Sequence, residues 1–117
     1  MTRPEAQTLV LEENGVIAAF LLMELHPRHR TATLVTLDVL SEFRRKGYAS
    51  KLMSQSQQIL LASGIRQYTL QVDTLNEGAV AFYRRWGFEV QGRLPNYYPG
   101  DRDAWQMIKI LPTNGAE

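Results

Sequence analysis

Between Thr31 and Val72 the residue pattern changes period twice, and this limits the available folds more than any other feature of the chain. Thr31 to Val39 is β-branched and apolar enough to lie centrally in a sheet. From Tyr48 the period lengthens: Ala49, Leu52, Met53, Ser56, Ile59 and Leu60 share one face of a helix. Ser63-Gly64 ends that helix, Gly being suited to a left-handed cap, and Gln67 to Val72 alternates as a strand again. A strand, helix, strand crossover calls for parallel strands with the helix on one face, which places the chain in the α/β class.

The flanks extend this unit. Thr8 to Leu11 and Val16 to Leu25 favour β structure, and Glu12-Glu13-Asn14-Gly15 joins them through a positive-φ Asn-Gly turn. Pro27 to Arg30 breaks the chain before Thr31. Ala79, Phe82, Tyr83 and Trp86 mark a second helix stopped by Gly87. Phe88 to Gln91 and Ala104 to Ile110 read as two last strands separated by a Pro, Asn, Gly and Asp-rich loop. The expected order is β-β-β-α-β-α-β-β, a mixed sheet with helices packed on it, the first three strands antiparallel.

A length of 117 residues, 44% of them hydrophobic and 21% charged, implies one soluble globular domain spanning 1-117, flexible at 1-7 and 112-117. The longest apolar run, Val16 to Met23, is far below the roughly 20 residues of a membrane-spanning helix, so no membrane partner is expected. No secretory leader is visible in Met1 to Gln7, which makes the cytoplasm the expected location. Without cysteine there is no disulfide, thiolate metal site or cysteine nucleophile. His26 and His29 stand in a Pro-containing stretch with no third ligand nearby and read as solvated loop residues, so no metal is expected. A net charge of +1 argues against a nucleic-acid partner, yet ten of the thirteen cations are Arg, the planar fork that suits phosphate.

Several of these cations fall where they matter. Phe43-Arg44-Arg45-Lys46-Gly47-Tyr48-Ala49-Ser50 lies between the Thr31 strand and its helix. A basic, Gly-containing turn at a helix N-terminus gathers free N–H groups and the positive end of the helix dipole, which together make an anion site. Gly47 and the small Ala49 would allow close backbone approach to a phosphate. The pattern is neither a Walker A loop nor a G-x-G-x-x-G dinucleotide fingerprint.

The run from Leu37 to Met53 resembles the acetyl-CoA-binding motif of the GNAT superfamily of N-acetyltransferases, and Asn76 to Phe88 is similar to that family's second signature. Asn96-Tyr97-Tyr98-Pro99 followed by Asp103 to Met107 resembles the closing hairpin of the RimI-type branch, which acetylates protein N-termini. The resemblance runs from Thr8 to Ile110. It implies direct transfer of an acetyl group from acetyl-CoA to a primary amine of a peptide, protein or small molecule, with no metal. It further implies that the backbone of Leu37, Asp38 and Val39 pairs with the pantetheine arm and that the turn Arg44, Arg45, Lys46, Gly47, Tyr48, Ala49 and Ser50 cradles the pyrophosphate. Asn76 would contact the arm, or simply cap its helix. Tyr83 matches the family's general acid to the departing thiolate, with core packing as its competing role.

Two departures accompany the match. Gln71 stands where the RimI-type pattern has a Glu able to take the proton, and an amide has no titratable site. Either Asp38, Glu24, Tyr97 or Tyr98 serves instead, or the incoming amine is already neutral, or turnover is slow. The chain also starts at what looks like the family's second strand, without the first strand and two helices that wall the acceptor groove; an exposed edge and uncovered apolar face would favour a homodimer. A CoA-binding regulatory module without transferase activity is the main alternative, and a nucleotide or RNA-binding domain a weaker one.

Overall fold

A computed structural model describes residues 5 to 112. Its elements run β1 (Glu5–Glu13), β2 (Val16–His26), β3 (Thr31–Val39), α1 (Tyr48–Ala62), β4 (Gln67–Asp73), α2 (Glu77–Arg85), β5 (Glu89–Tyr98) and β6 (Arg102–Ile110), the order expected from the sequence. They form one six-stranded sheet, ordered β1-β2-β3-β4-β6-β5. β1, β2 and β3 are antiparallel neighbours, and the α1 crossover makes β3 and β4 parallel.

Asn14 and Gly15 both hold positive φ (54° and 79°), as the tight β1–β2 turn requires. Ala19, Leu21, Met23 and Leu25 of β2 alternate onto one face with Leu34 of β3 and Tyr68, Leu70 and Val72 of β4, and all are buried. Leu52, Met53 and Leu60 of α1 close over them, together with Ala79, Phe82, Tyr83 and Trp86 on the inner side of α2. Burying each such large apolar side chain stabilises the fold by roughly 1.5–3 kcal/mol before entropy is counted. One polar group is taken inside with them: the Tyr68 hydroxyl donates to Ser56 Oγ at 3.0 Å, and Ser56 Oγ donates to the Met53 carbonyl at 2.9 Å.

The structure differs from the sequence expectation near the N-terminus and in one loop. Glu5, Ala6 and Gln7, expected in a flexible lead, pair with Leu25, Glu24 and Met23; residues 1 to 4 and 113 to 117 lie outside the described residues. The expected loop after Gln91 is largely strand, since β5 runs on to Tyr98 and only a short turn separates it from β6. Pro95 is tolerated because β5 is an edge strand, where a missing N–H breaks no second ladder. The register shifts between Leu94 and Tyr98, where Asn96 has φ 54° and its N–H turns to Asp103 Oδ1 at 2.9 Å.

Candidate active site

The parallel pairing of β3 with β4 lasts only from Thr31–Gln67 to Leu34–Leu70. Beyond it β3 continues to Val39 paired with β2 alone, and β4 continues to Asp73 paired with β6 alone. The cause lies in β3 itself. Leu34 pairs with Met23 and Thr36 with Leu22, so Val35 is an extra residue, and such a bulge bends its strand. The two strands part, and backbone groups of β3 on the opened side have no ladder partner. An extended chain carrying amides could add there as a strand.

The opening leads to the basic turn. Leu37, Asp38 and Val39 line one side of a cleft of about 460 Å³, Arg44, Arg45, Gly47, Tyr48, Ala49 and Ser50 its end, and Phe82 and Arg85 of α2 the other side. Arg45 and Gly47 are both left-handed, at φ 67° and 79°. Gly47 is the N-cap of α1 and no side chain caps the helix; the first N–H to find an intrahelical acceptor is that of Lys51, on the Gly47 carbonyl at 3.0 Å. The N–H groups of Tyr48, Ala49 and Ser50 therefore remain for an anion. An added Cβ at Gly47 would meet nothing within 4 Å, so its need for glycine comes from φ. Arg44 also has a structural task, its Nε donating to the Val39 carbonyl at 3.0 Å where β3 ends.

Two of the residues expected at the cofactor, Lys46 and Asn76, do not line the cleft. Lys46 Nζ turns away to Glu13 Oε2 at 2.9 Å, and the Tyr48 hydroxyl donates to the other oxygen of the same carboxylate. Those two hydrogen bonds hold the Glu13 carboxyl below its ordinary range. Asn76 caps α2, accepting the Ala79 N–H on Oδ1 at 3.1 Å. Arg85, like Phe82, lines the cleft without belonging to the set expected from the motifs. It stands one turn beyond Phe82, three residues on, and this spacing on an exposed helix face was the signal available.

Tyr83 lies on the inner side of α2 with its ring against Phe82 and Phe88, at centroid separations of 5.5 and 5.8 Å. Among the described residues its hydroxyl hydrogen-bonds no protein group. Burial, with Tyr98 nearby, pushes this phenol up to about 12. At neutral pH it keeps its proton and can donate it.

On the sheet face away from the helices, Gln71 Nε2 donates to Gln106 Oε1 at 2.8 Å. Asp73, two residues further along the same face, accepts the Leu75 N–H and the Arg102 guanidinium, and these bonds hold its carboxyl below the usual range. Tyr98 is raised by burial beside Tyr97 and Asp73, which makes it a donor at neutral pH. Asp38 is exposed at the cleft rim and Glu24 is half-buried on β2. Among the described residues no cluster of His, Asp and Glu could hold a metal ion.

Fold and cleft together define an α/β protein in which two parted strands open onto a helix N-terminus with no side-chain cap. The chain belongs to the acetyltransferase (GNAT) family, whose model matches residues 1–88. It is 31% identical over 109 residues to N-alpha-acetyltransferase 30 of Schizosaccharomyces pombe, covering 90% of this chain and 71% of that protein. To the N-alpha-acetyltransferase MAK3 of Arabidopsis thaliana it is 33% identical over 79 residues, 68% of this chain and 42% of that one, so the match spans less than half of that relative's length. The crystal structure of the ribosomal-protein-S18-alanine N-acetyltransferase from Escherichia coli superposes with a TM-score of 0.86 at 28% identity, covering 96% of this chain and 73% of that one. Among the described residues no helix is long and apolar enough to cross a membrane.

Proposed function

We propose that this chain transfers the acetyl group of acetyl-CoA directly to a primary amine, and that the acceptor is the α-amino group of a peptide or protein. One observation carries the reading: strands parted beyond Leu34 and Leu70 open onto an uncapped helix N-terminus flanked by Arg45 and Arg85. The residues present suit the co-substrate. Unpaired β3 backbone offers partners to pantetheine amides, and the N–H groups of Tyr48, Ala49 and Ser50 with the two guanidinium groups suit a pyrophosphate. Acetyl-CoA supplies an acyl group already activated as a thioester.

Each later step falls to a group of this chain. An N–H of Leu37, Asp38 or Val39 donates to the thioester carbonyl and stabilises the oxyanion as the amine attacks. Tyr83, protonated at neutral pH, donates to the thiolate as the C–S bond breaks, and the proton shed by the attacking nitrogen returns through solvent to restore the phenol. Gln71 and Gln106 can orient an amine or a water but cannot take its proton. That favours an acceptor with a substantial neutral fraction, and an α-amine of pKa about 7.7–8.0 has far more of it near neutral pH than a lysine of about 10.4. The relatives named for N-alpha acetylation support the same acceptor class. The cytoplasmic location and the homodimer expected from the sequence remain part of this proposal.

Calorimetry with acetyl-CoA, CoA and ATP, followed by thiol-release kinetics on peptides with free or blocked N-termini, tests the reading. Tight binding of both CoA species, with thiol release only on free N-termini, is the expected result. Absence of CoA binding would overturn it, while binding without release on any amine would point to a CoA-binding module.

A further inference from the structure

The cofactor turn is tied to a part of the chain that carries no acetyltransferase motif. Glu13, the last residue of β1, reaches across to the N-terminus of α1. One of its carboxylate oxygens takes Lys46 Nζ at 2.9 Å and the other takes the Tyr48 hydroxyl. These two donors bracket Gly47, which holds φ 79° and caps the helix. A single carboxylate thus grips the turn on both sides of its left-handed glycine. It also draws the Lys46 charge out of the cleft, where Arg44, Arg45 and Arg85 remain.

Among the described residues no other side-chain hydrogen bond holds this side of the turn. Arg44 is fixed at its start by the bond to Val39 O, and α1 begins only with the Lys51 N–H on Gly47 O. The N–H groups of Tyr48, Ala49 and Ser50 bind an anion well only when the turn is already in place, because otherwise binding must order it.

Resting on the acetyl-CoA reading above, we propose that Glu13 is a positioning residue: through Lys46 and Tyr48 it pre-orders the anion-binding turn and so sets the affinity for acetyl-CoA without touching it. Glu13 and Lys46 are partly exposed, so the pair adds little to global stability, and the effect belongs to binding rather than folding.

A double-mutant cycle tests this with Glu13→Gln, Tyr48→Phe and the combined variant, reading the CoA dissociation constant by calorimetry, kcat and KM by thiol release, and the melting temperature. Glu13→Gln should weaken CoA binding and raise KM for acetyl-CoA roughly fivefold, the worth of about one hydrogen bond, with kcat at saturation and the melting temperature nearly unchanged. The double variant should be little worse than either single one, since both remove the same grip. Unchanged or tighter CoA binding in Glu13→Gln would overturn the proposal, as would losses that multiply in the double variant. A wild-type chain that binds no CoA would instead bring down the acetyl-CoA reading itself. Should Glu13→Gln lower the melting temperature, a variant carrying both Lys46→Met and Tyr48→Phe separates the cases: it removes both donors and keeps Glu13, and an unaltered CoA affinity and KM there would leave Glu13 with a structural role only.

Discussion

Gln71 and Gln106 face each other across β4 and β6 as a directly paired position, two neutral amides joined by a 2.8 Å hydrogen bond. The pair leaves Gln71 Oε1 and the second N–H of Gln71 to orient an amine, along with the Gln106 amide group, and neither side chain can carry a proton away. Gln71→Glu should therefore raise kcat/KM on a peptide amine at least about tenfold near neutral pH, within the range of general base catalysis. The gain should disappear at low pH as the new carboxylate protonates. Thiol release followed from pH 5 to 9 measures it; an unchanged rate would mean that this face does not meet the acceptor.

Tyr83→Phe removes one oxygen and leaves the packing against Phe82 and Phe88 in place. The expected loss is about a hundredfold in kcat with acetyl-CoA affinity held within roughly twofold. Because burial pushes the phenol up to about 12, the wild-type rate should show no alkaline limb from Tyr83 below about pH 11. A fall in affinity matching the fall in rate would assign Tyr83 to packing.

Arg85→Ala should raise KM for acetyl-CoA by roughly tenfold, in line with one hydrogen bond to a charged group, and leave kcat at saturation near the wild-type value. The salt dependence of CoA binding should also flatten. Equal KM values in the two proteins would remove Arg85 from the binding surface despite its place in the cleft wall.

Stability should fall in strong alkali because of two buried phenols. Burial raises Tyr68 and Tyr83 above the ordinary value of 10, so the folded chain holds protons that the unfolded chain has released. Their contribution is fully present below pH 10 and declines as the pH rises past it. Denaturant titrations at pH 8, 10 and 11 should show this decline, and Tyr68→Phe should make it shallower. At pH 8 the same variant should lose roughly 1 kcal/mol, because the Tyr68 bond to the buried Ser56 is gone.

The element order was legible because its signals are local. Asn14-Gly15 dictates a turn through backbone φ alone, and the spacing of Leu52, Met53, Ser56 and Leu60 identifies a helix face whatever packs against it. Where the reading fell short, a distant residue decided. β5 extends past Gln91 because β6 is there to pair with it and Asp103 is there to accept the Asn96 N–H. Nothing between Gln91 and Tyr98 announces that.

The site divides along the same line. That residues 44 to 50 form a Gly-containing turn before a helix, with the backbone chemistry proposed for an anion, was legible in the sequence. Which cations line the cleft was a tertiary matter: Lys46 is turned aside by Glu13 from a hairpin 33 residues away, while Arg85 arrives from the second helix. The opening that would take the pantetheine arm is likewise invisible in Thr31 to Val39 read alone. It exists because Val35 bulges against β2 and parts β3 from β4, a register mismatch between strands that no single strand encodes.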